Sequence, residues 1–451
     1  TAEKTANAEY TRTYTWEITK GVDPASHTGW FGDSFTSSYD VFVDQNVADS
    51  DYKVTGQITI DNPTPFEVGF SVSDSVNGTA AVVDCDALTE GNQDTGTLTA
   101  GASVTCSYVA QFGDTLPPDG TNTATVTSLN TDVEGAEATA GYTFGEPTTI
   151  VGSPTINVTD YFDGDLVGEG LGSASGDFTF EYDRTFTCST DEGDYTNGVY
   201  TDSFPNYAKI DETGQQDDAQ VDITCYKPVV AKDADTEWFK EYTWAITKNV
   251  DPGSHTGWFG DEFTSSYDVF VDQTIDEYGY RAFGSIYVTN PSGESITVDV
   301  ADAVNGTSAT VDCDGDPDNG VNANSLTVTA GETGTCAYTV DLNGATQLLN
   351  TATVSYNGYD FQATADVIFG DPTIVGHPTI NVTDYFDGDL VGEGLGSAFG
   401  DFTFEYDRTF TCSTDESDYT NGVYTDSFPN YAEIDETGQQ DDAQVDITCY
   451  K

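Results

Sequence analysis

A chain that carries one stretch almost twice must be able to fold that stretch as a repeatable unit, and this sequence does so. Residues 150–227, beginning IVGSPTINVTDYFDGDLVGEG, return at 374–451 with an offset of 224 and four differences: Ser153/His377, Ser175/Phe399, Gly193/Ser417 and Lys209/Glu433. The segment before it repeats more loosely. YTWEITKGVDPASHTGWFGDSFTSSYDVFVDQ, starting at Tyr14, recurs from Tyr242 at an offset of 228, and Cys85 and Cys106 find counterparts in Cys313 and Cys336. A period this long exceeds the roughly 20 to 50 residues of solenoid units and fits whole domains in tandem. The expected organisation is an N-terminal segment over 1–9, serving as linker or donor strand, a larger domain over 10–148 and a smaller one over 149–227. A linker over 228–237 then leads to a second pair over 238–372 and 373–451.

Alternation identifies the fold class. From Tyr10 onward, Tyr10, Arg12, Tyr14, Trp16, Ile18 and Lys20 share one face and threonines with Glu17 the other, the period of a half-buried strand. Similar runs follow at 38–43, 54–60, 66–72, 80–85, 103–112, 121–127 and 138–144. They are separated by turn clusters such as Asp61-Asn62-Pro63 and Pro117-Pro118-Asp119-Gly120. Short strands at this spacing, without helical periodicity, predict an all-β chain of tandem immunoglobulin-like β-sandwiches, in two near-identical pairs of a larger and a smaller domain. In the smaller domain Phe178, Phe180, Tyr182, Arg184, Phe186 and Cys188 share a face, as do Val221, Ile223 and Cys225. That pattern favours a buried disulfide between facing strands, and Arg184 and its copy Arg408 are expected to pair with carboxylates.

Charge and cysteines narrow the setting. Against 78 Asp and Glu stand 13 Lys and Arg, a formal net charge of -65. Such a polyanion lacks the cations needed to neutralise phosphates, which argues against nucleic acid as a partner. Its self-repulsion is relieved by salt or divalent cations, which suits a salty or cation-rich exterior. Eight cysteines repeat in register without CxxC spacing, pointing to an oxidising compartment and to four disulfides, Cys85/Cys106, Cys188/Cys225, Cys313/Cys336 and Cys412/Cys449, rather than to zinc. There is no apolar run long enough for membrane insertion. The absence of Met and the opening on Thr1 suggest a mature, secreted product.

Several stretches carry a family resemblance: TLTAGASVTCSYVA (97–110), TNTATVT (121–127), INVTDYFDGDLVGE (156–169), FTFEYDRTFTC (178–188) and DETGQQDDAQVDITCY (211–226). They resemble the tandem immunoglobulin-like repeat domains of large secreted bacterial and archaeal cell-surface proteins. The resemblance covers nearly the whole chain, rests on turn and strand signatures, and implies a structural or adhesive surface role without catalytic residues.

Candidate sites follow. The sequons at Asn77, Asn157, Asn305 and Asn381 would accept N-glycans in a secreted protein. Asp312, Asp314, Asp316 and Asp318 alternate with turn residues like the start of a calcium loop. The later glutamate is missing, and a solvated acidic hairpin accounts for them as well; Asp160, Asp163 and Asp165, with their copies, offer a second place. Lys20 and Lys248 fall on the inward strand face, where an isopeptide bond with Asn122 and Asn350 competes with snorkelling to solvent or pairing with one of the many carboxylates. His27 and His255 sit in the SHTGWFGD loop near Ser and Asp without triad spacing, and loop packing explains them. Phe399, in a Gly-rich loop, and Tyr10 are candidate interface anchors.

The function expected from these features is that of an extracellular structural protein, not an enzyme. It would be the subunit of a surface filament or stalk associating head to tail: residues 1–9 resemble the segment that follows the first repeat, as they would either in separate subunits joined end to end or in a cut from a longer array. The alternative is an adhesin or glycan-binding module recognising surface glycans. No cofactor is expected beyond calcium at such loops.

Overall fold

The structure is a computed structural model that describes residues 1–86, 92–315 and 322–451. Those residues form strands and turns, apart from short 3-10 segments at Glu192–Asp194 and Glu416–Asp418. They divide into two compact units, residues 1–194 with 200–225, and residues 195–199 with 226–451.

In the first unit the strands begin with β1 (Ala2–Lys4), β2 (Asn7–Asp23), β3 (Ser26–Trp30), β4 (Ser34–Asp61) and β5 (Val68–Val76). They continue with β6 (Thr79–Ala80), β7 (Val82–Asp84), β8 (Thr95–Leu98), β9 (Ser103–Gly113), β10 (Gly120–Ser128) and β11 (Ala136–Tyr142). The last are β12 (Thr149–Val151), β13 (Ile156–Phe162), β14 (Glu169–Ala174), β15 (Phe178–Thr187), β16 (Val199–Ile210) and β17 (Gln216–Tyr226).

β4 is the spine of this unit. β1 and β2 pair with one of its edges; on the other, β15 pairs with its first half and β9 with its second. With β7 and β12 they make one seven-stranded sheet. Two five-stranded sheets complete the unit. The sheet containing β5, β10 and β11 closes a core with Val54, Ile58, Phe70, Tyr108 and Val126. The sheet of β14, β13, β16, β17 and β3 closes another with Trp16, Val41, Val43, Ile156 and Ile210.

A single strand serves both cores because it changes parity. Tyr39, Val41 and Val43 are buried in its first half, Tyr52, Val54 and Ile58 in its second. The period-2 alternation would turn one of these sets outward unless a residue were absorbed between them. The pairing slips between Tyr52 and Lys53, opposite a slip between Glu9 and Thr11, and Asp51 takes φ 55°. The equivalent position in the second unit is Gly279, φ 67°, a conformation glycine adopts without penalty.

The second unit repeats this plan on the strand Glu262–Thr289, with Asp235–Asp251, Thr333–Asp341 and Phe402–Thr411 as its partners. The class is all-β, with tandem immunoglobulin-like sandwiches in two near-identical pairs.

Two expectations about organisation are corrected. A boundary at 148/149 does not separate the cores, since Trp16, Val41 and Val43 pack with Ile156 and Val158 from the far side of it. Residues 1–9 and 228–237 are not linkers: Ala2–Lys4 pair with Ile58–Ile60, and Val229–Lys232 with Ile286–Thr289. Tyr10 is no interface anchor either. It is buried, stacked on Tyr52 with ring centroids 5.1 Å apart.

Candidate functional site: four buried lysine clusters

The acidic surface hides an unusual interior. Four of the lysines have side chains with no exposure, and each meets an aspartate that is equally withdrawn. Lys4 Nζ lies 2.8 Å from Asp74 Oδ2; Lys20 pairs with Asp160, Lys232 with Asp302 and Lys248 with Asp384. There is one pair in each sandwich.

A buried asparagine completes each cluster: Asn122, Asn206, Asn350 and Asn430, none more than 1% exposed. Asn122 Nδ2 donates to the same Asp74 Oδ2 that binds Lys4, at 3.2 Å. In the smaller sandwich a tyrosine hydroxyl bridges instead: Tyr182 accepts from Lys20 Nζ at 2.6 Å and from Asn206 Nδ2 at 3.0 Å. Tyr406 does the same for Lys248 and Asn430, at 2.6 and 3.0 Å.

Strand register places these groups identically in sandwiches of different sequence. The aspartate is always opposite an alanine, and the asparagine lies two residues before that alanine. Asp74 faces Ala124, Asp160 faces Ala208, Asp302 faces Ala352 and Asp384 faces Ala432. On the other sheet, each lysine pairs with an aliphatic residue of the long strand: Ile58, Val41, Ile286 or Val269. Two positions earlier, that strand faces the tyrosine: Gly56 opposite Tyr108, Tyr39 opposite Tyr182, Gly284 opposite Tyr338 and Tyr267 opposite Tyr406. Gly56 must lack a side chain, because a Cβ there would sit 2.2 Å from Thr5 O and 2.8 Å from the Tyr108 hydroxyl.

Electrostatics follow from burial. Desolvation pushes all four lysine ammonium groups below their ordinary value, against the pull of their aspartates. It raises Asp302, and it pushes the Tyr108 and Tyr338 hydroxyls up to about 12. Each ammonium also lies near an aromatic ring, Lys4 3.5 Å from the Tyr108 centroid and Lys232 4.1 Å from that of Tyr338. Arg184 and Arg408 reach their aspartates from the rim, at 3.4 and 3.3 Å.

These clusters revise the lysine assignment. Lys20 and Lys248 do not meet Asn122 and Asn350; those asparagines belong with Lys4 and Lys232 in the other sandwich of each pair. The parity change in the long strand sends the Lys20 and Lys4 ends into different cores. Asp74, Asn206 and their copies carry no signal of their own in the sequence, and Asp160 and Asp384, read there as calcium ligands, are instead the partners of Lys20 and Lys248. The signal available was the pattern Asn-x-Ala at 122, 206, 350 and 430.

Elsewhere, the cysteines form the disulfides Cys85–Cys106, Cys188–Cys225, Cys313–Cys336 and Cys412–Cys449. The first and third staple neighbouring strands of one sheet, whereas Cys188–Cys225 and its copy join facing sheets. Asn77 and Asn305 are exposed at hairpin turns with φ 48° and 46°. Asn157 and Asn381 are exposed and donate to Glu212 and Glu436 at 2.7 Å.

Of the acidic loop, Asp312 and Asp314 are described, while Asp316 and Asp318 lie outside the described residues. Among the described residues no group of three or more His, Cys, Asp or Glu is arranged to hold a metal. Asp160 is turned inward to Lys20, away from any site with Asp163 and Asp165. His27 stacks on Phe35 at 4.9 Å, and its Nε2 contacts Ser37 Oγ at 2.7 Å; that hydroxyl donates to Pro24 O, so it is not poised as a nucleophile. Phe399 is 85% exposed.

No protein-family model and no curated protein matches the chain. Among solved structures it is similar to the zebrafish RET cadherin-like domains 1 to 4, with 10% identity over 87% of this chain and 94% of that one, at a TM-score of 0.12. A structure addressing Dscam isoform specificity matches at 8% identity over 74% and 80% of the two chains, at a TM-score of 0.10. Superpositions this loose carry no argument about function. The four disulfides themselves point to an oxidising, extracellular setting. Among the described residues no helix is long and apolar enough to cross a membrane.

Proposed function

We propose that the chain is a non-catalytic structural element of a cell surface, a tension-carrying portion of a stalk or filament whose copies associate head to tail. The observation that carries this reading is the seven-stranded sheet running through both sandwiches of a unit on one 28-residue strand. Tension along it is borne by covalent backbone and by long antiparallel ladders, not by a flexible joint between two beads. The disulfides brace the strands against separation. The acidic exterior keeps neighbouring assemblies apart and hydrated in a salty medium.

Self-association needs an apolar patch on an otherwise charged surface, and each unit offers one in the tip Leu166–Val167 or Leu390–Val391, 97 and 86% exposed in the first and 99 and 86% in the second. Electron microscopy of material sheared from producing cells, beside the purified protein, tests the reading. Fibres with the axial repeat of this chain are expected. Leu166→Ser with Val167→Ser, and the same changes at 390 and 391, should leave folding within about 0.5 kcal/mol and abolish fibres; unchanged fibres exclude the tips as the contact.

A second reading, a glycan-binding adhesin, is favoured by Trp258 and Phe399, aromatic side chains 65 and 85% exposed. Saturable binding of surface sugars by a strictly monomeric protein, lost on replacing these two residues, would establish it. Glycans on the sequons and calcium at the acidic hairpins are further elements of this proposal. Mass analysis of native material tests the first, and calcium titration by calorimetry the second.

A further inference from the structure

The lysine clusters are costly as ion pairs. Two charges are withdrawn from water in each, and the neighbouring asparagine is left with an unpaired carboxamide oxygen in all four, Asn122, Asn206, Asn350 and Asn430. A buried polar atom without a partner is destabilising, and its recurrence in the same register of four sandwiches calls for a cause. The groups present are an amine, an amide carbonyl and a carboxyl group, enclosed together with an aromatic ring. Those are the components of a transamidation.

We infer that each sandwich closes a covalent amide between its buried lysine and asparagine: Lys4 with Asn122, Lys20 with Asn206, Lys232 with Asn350 and Lys248 with Asn430. Nζ attacks Cγ of the asparagine, the Cγ–Nδ2 bond breaks, and ammonia leaves. The aspartate takes the proton that the lysine sheds and returns it to the departing nitrogen, so it ends as it began. No oxidant, cofactor or second enzyme enters the balance.

The geometry suits each step. Burial favours the neutral, nucleophilic amine. Asp74 Oδ2 already binds both nitrogens between which the proton must pass. Oδ1 of Asp74 and of Asp302 is unpaired, as is the neighbouring asparagine Oδ1, and one proton shared between them would polarise the carbonyl. In the smaller sandwiches Tyr182 and Tyr406 bridge amine and carboxamide in place of that shared carboxylate oxygen. The residue opposite each aspartate is a fully buried alanine, whose side chain is a single methyl group.

The bond ties the lysine strand of one sheet to the asparagine strand of the other. Each sandwich is then crossed covalently between its two sheets, which in the larger sandwiches no disulfide does.

The test is the intact mass of the folded, purified full chain, measured after complete reduction and denaturation. The expected mass falls short of the sequence mass by four molecules of ammonia, and proteolysis yields branched peptides joining each lysine to its asparagine. Lys4→Arg and Asp74→Ala should each restore one ammonia and leave the other three losses in place. Succinimides at Asn-Gly sites also lose ammonia, but they give no branched peptide and do not respond to Lys4→Arg. The full sequence mass, or lost ammonia without branched peptides, overturns the inference; a lysine and asparagine recovered in separate peptides overturns it for that sandwich.

Discussion

Deleting Thr1–Glu9 separates a donor strand from a strand that completes its own sandwich. Ala2, Ala6 and Ala8 pack against the larger core, Lys4 neutralises Asp74, and the Tyr108 hydroxyl donates to Thr5 O at 2.7 Å. Removing one member of a buried pair leaves the other charge uncompensated, at about 3–5 kcal/mol. The orphaned tyrosine hydroxyl adds about 1 kcal/mol. The combined loss, about 4–6 kcal/mol, is a large part of the 5–15 kcal/mol that holds a typical domain folded. A Lys4–Asn122 amide would raise it further.

The second unit keeps its own equivalent strand, Val229–Lys232, and serves as an internal control. Urea unfolding should therefore split into two transitions. Hydrogen exchange should show early loss of protection in 120–128 while 348–356 stays protected. A single transition superimposable on that of the undeleted chain, with unchanged protection, would refute the reasoning and return residues 1–9 to the role of a free segment.

Three further outcomes are expected. Replacing Cys188 and Cys225 by Ser opens a loop of sequence separation 37. The chain-entropy treatment makes that worth about 4 kcal/mol, read as a lower thermal midpoint; an unmoved midpoint would show that the bridge constrains nothing. Tyr108 and Tyr338, held at about 12, keep their protons in the folded state when the unfolded chain begins to lose them near the ordinary tyrosine value of about 10. Their stabilising contribution is thus complete below that pH and lost as pH rises through 12, so the urea midpoint should fall over that window, tracked beside tyrosinate absorbance. Finally, the net charge of -65 predicts a denaturation midpoint that climbs steeply from low to molar salt. A flat response would mean that the surface carboxylates are already neutralised by bound cations.

Fold class, duplication and disulfide partners were all legible along the chain. Those features rest on local period, on repetition and on cysteines that recur in register, all written along the chain. Trp16, Phe180 and Ile223 were legible as inward residues because alternation is a property of a strand before it meets its partner.

Which core each inward residue enters depends instead on how the strands pair. One absorbed residue at Asp51 switches the parity of the 28-residue strand. A pattern read continuously therefore assigned Lys20 and Asn122 to one domain, when they lie in two. The pairing of Asp74 with Lys4 and with Asn122 spans 70 and 48 residues of sequence. No local signal marks a lysine for burial when the charge that admits it comes from a strand on the opposite sheet. Four such clusters become visible only when register sets each aspartate opposite its alanine and aims three polar groups at one point.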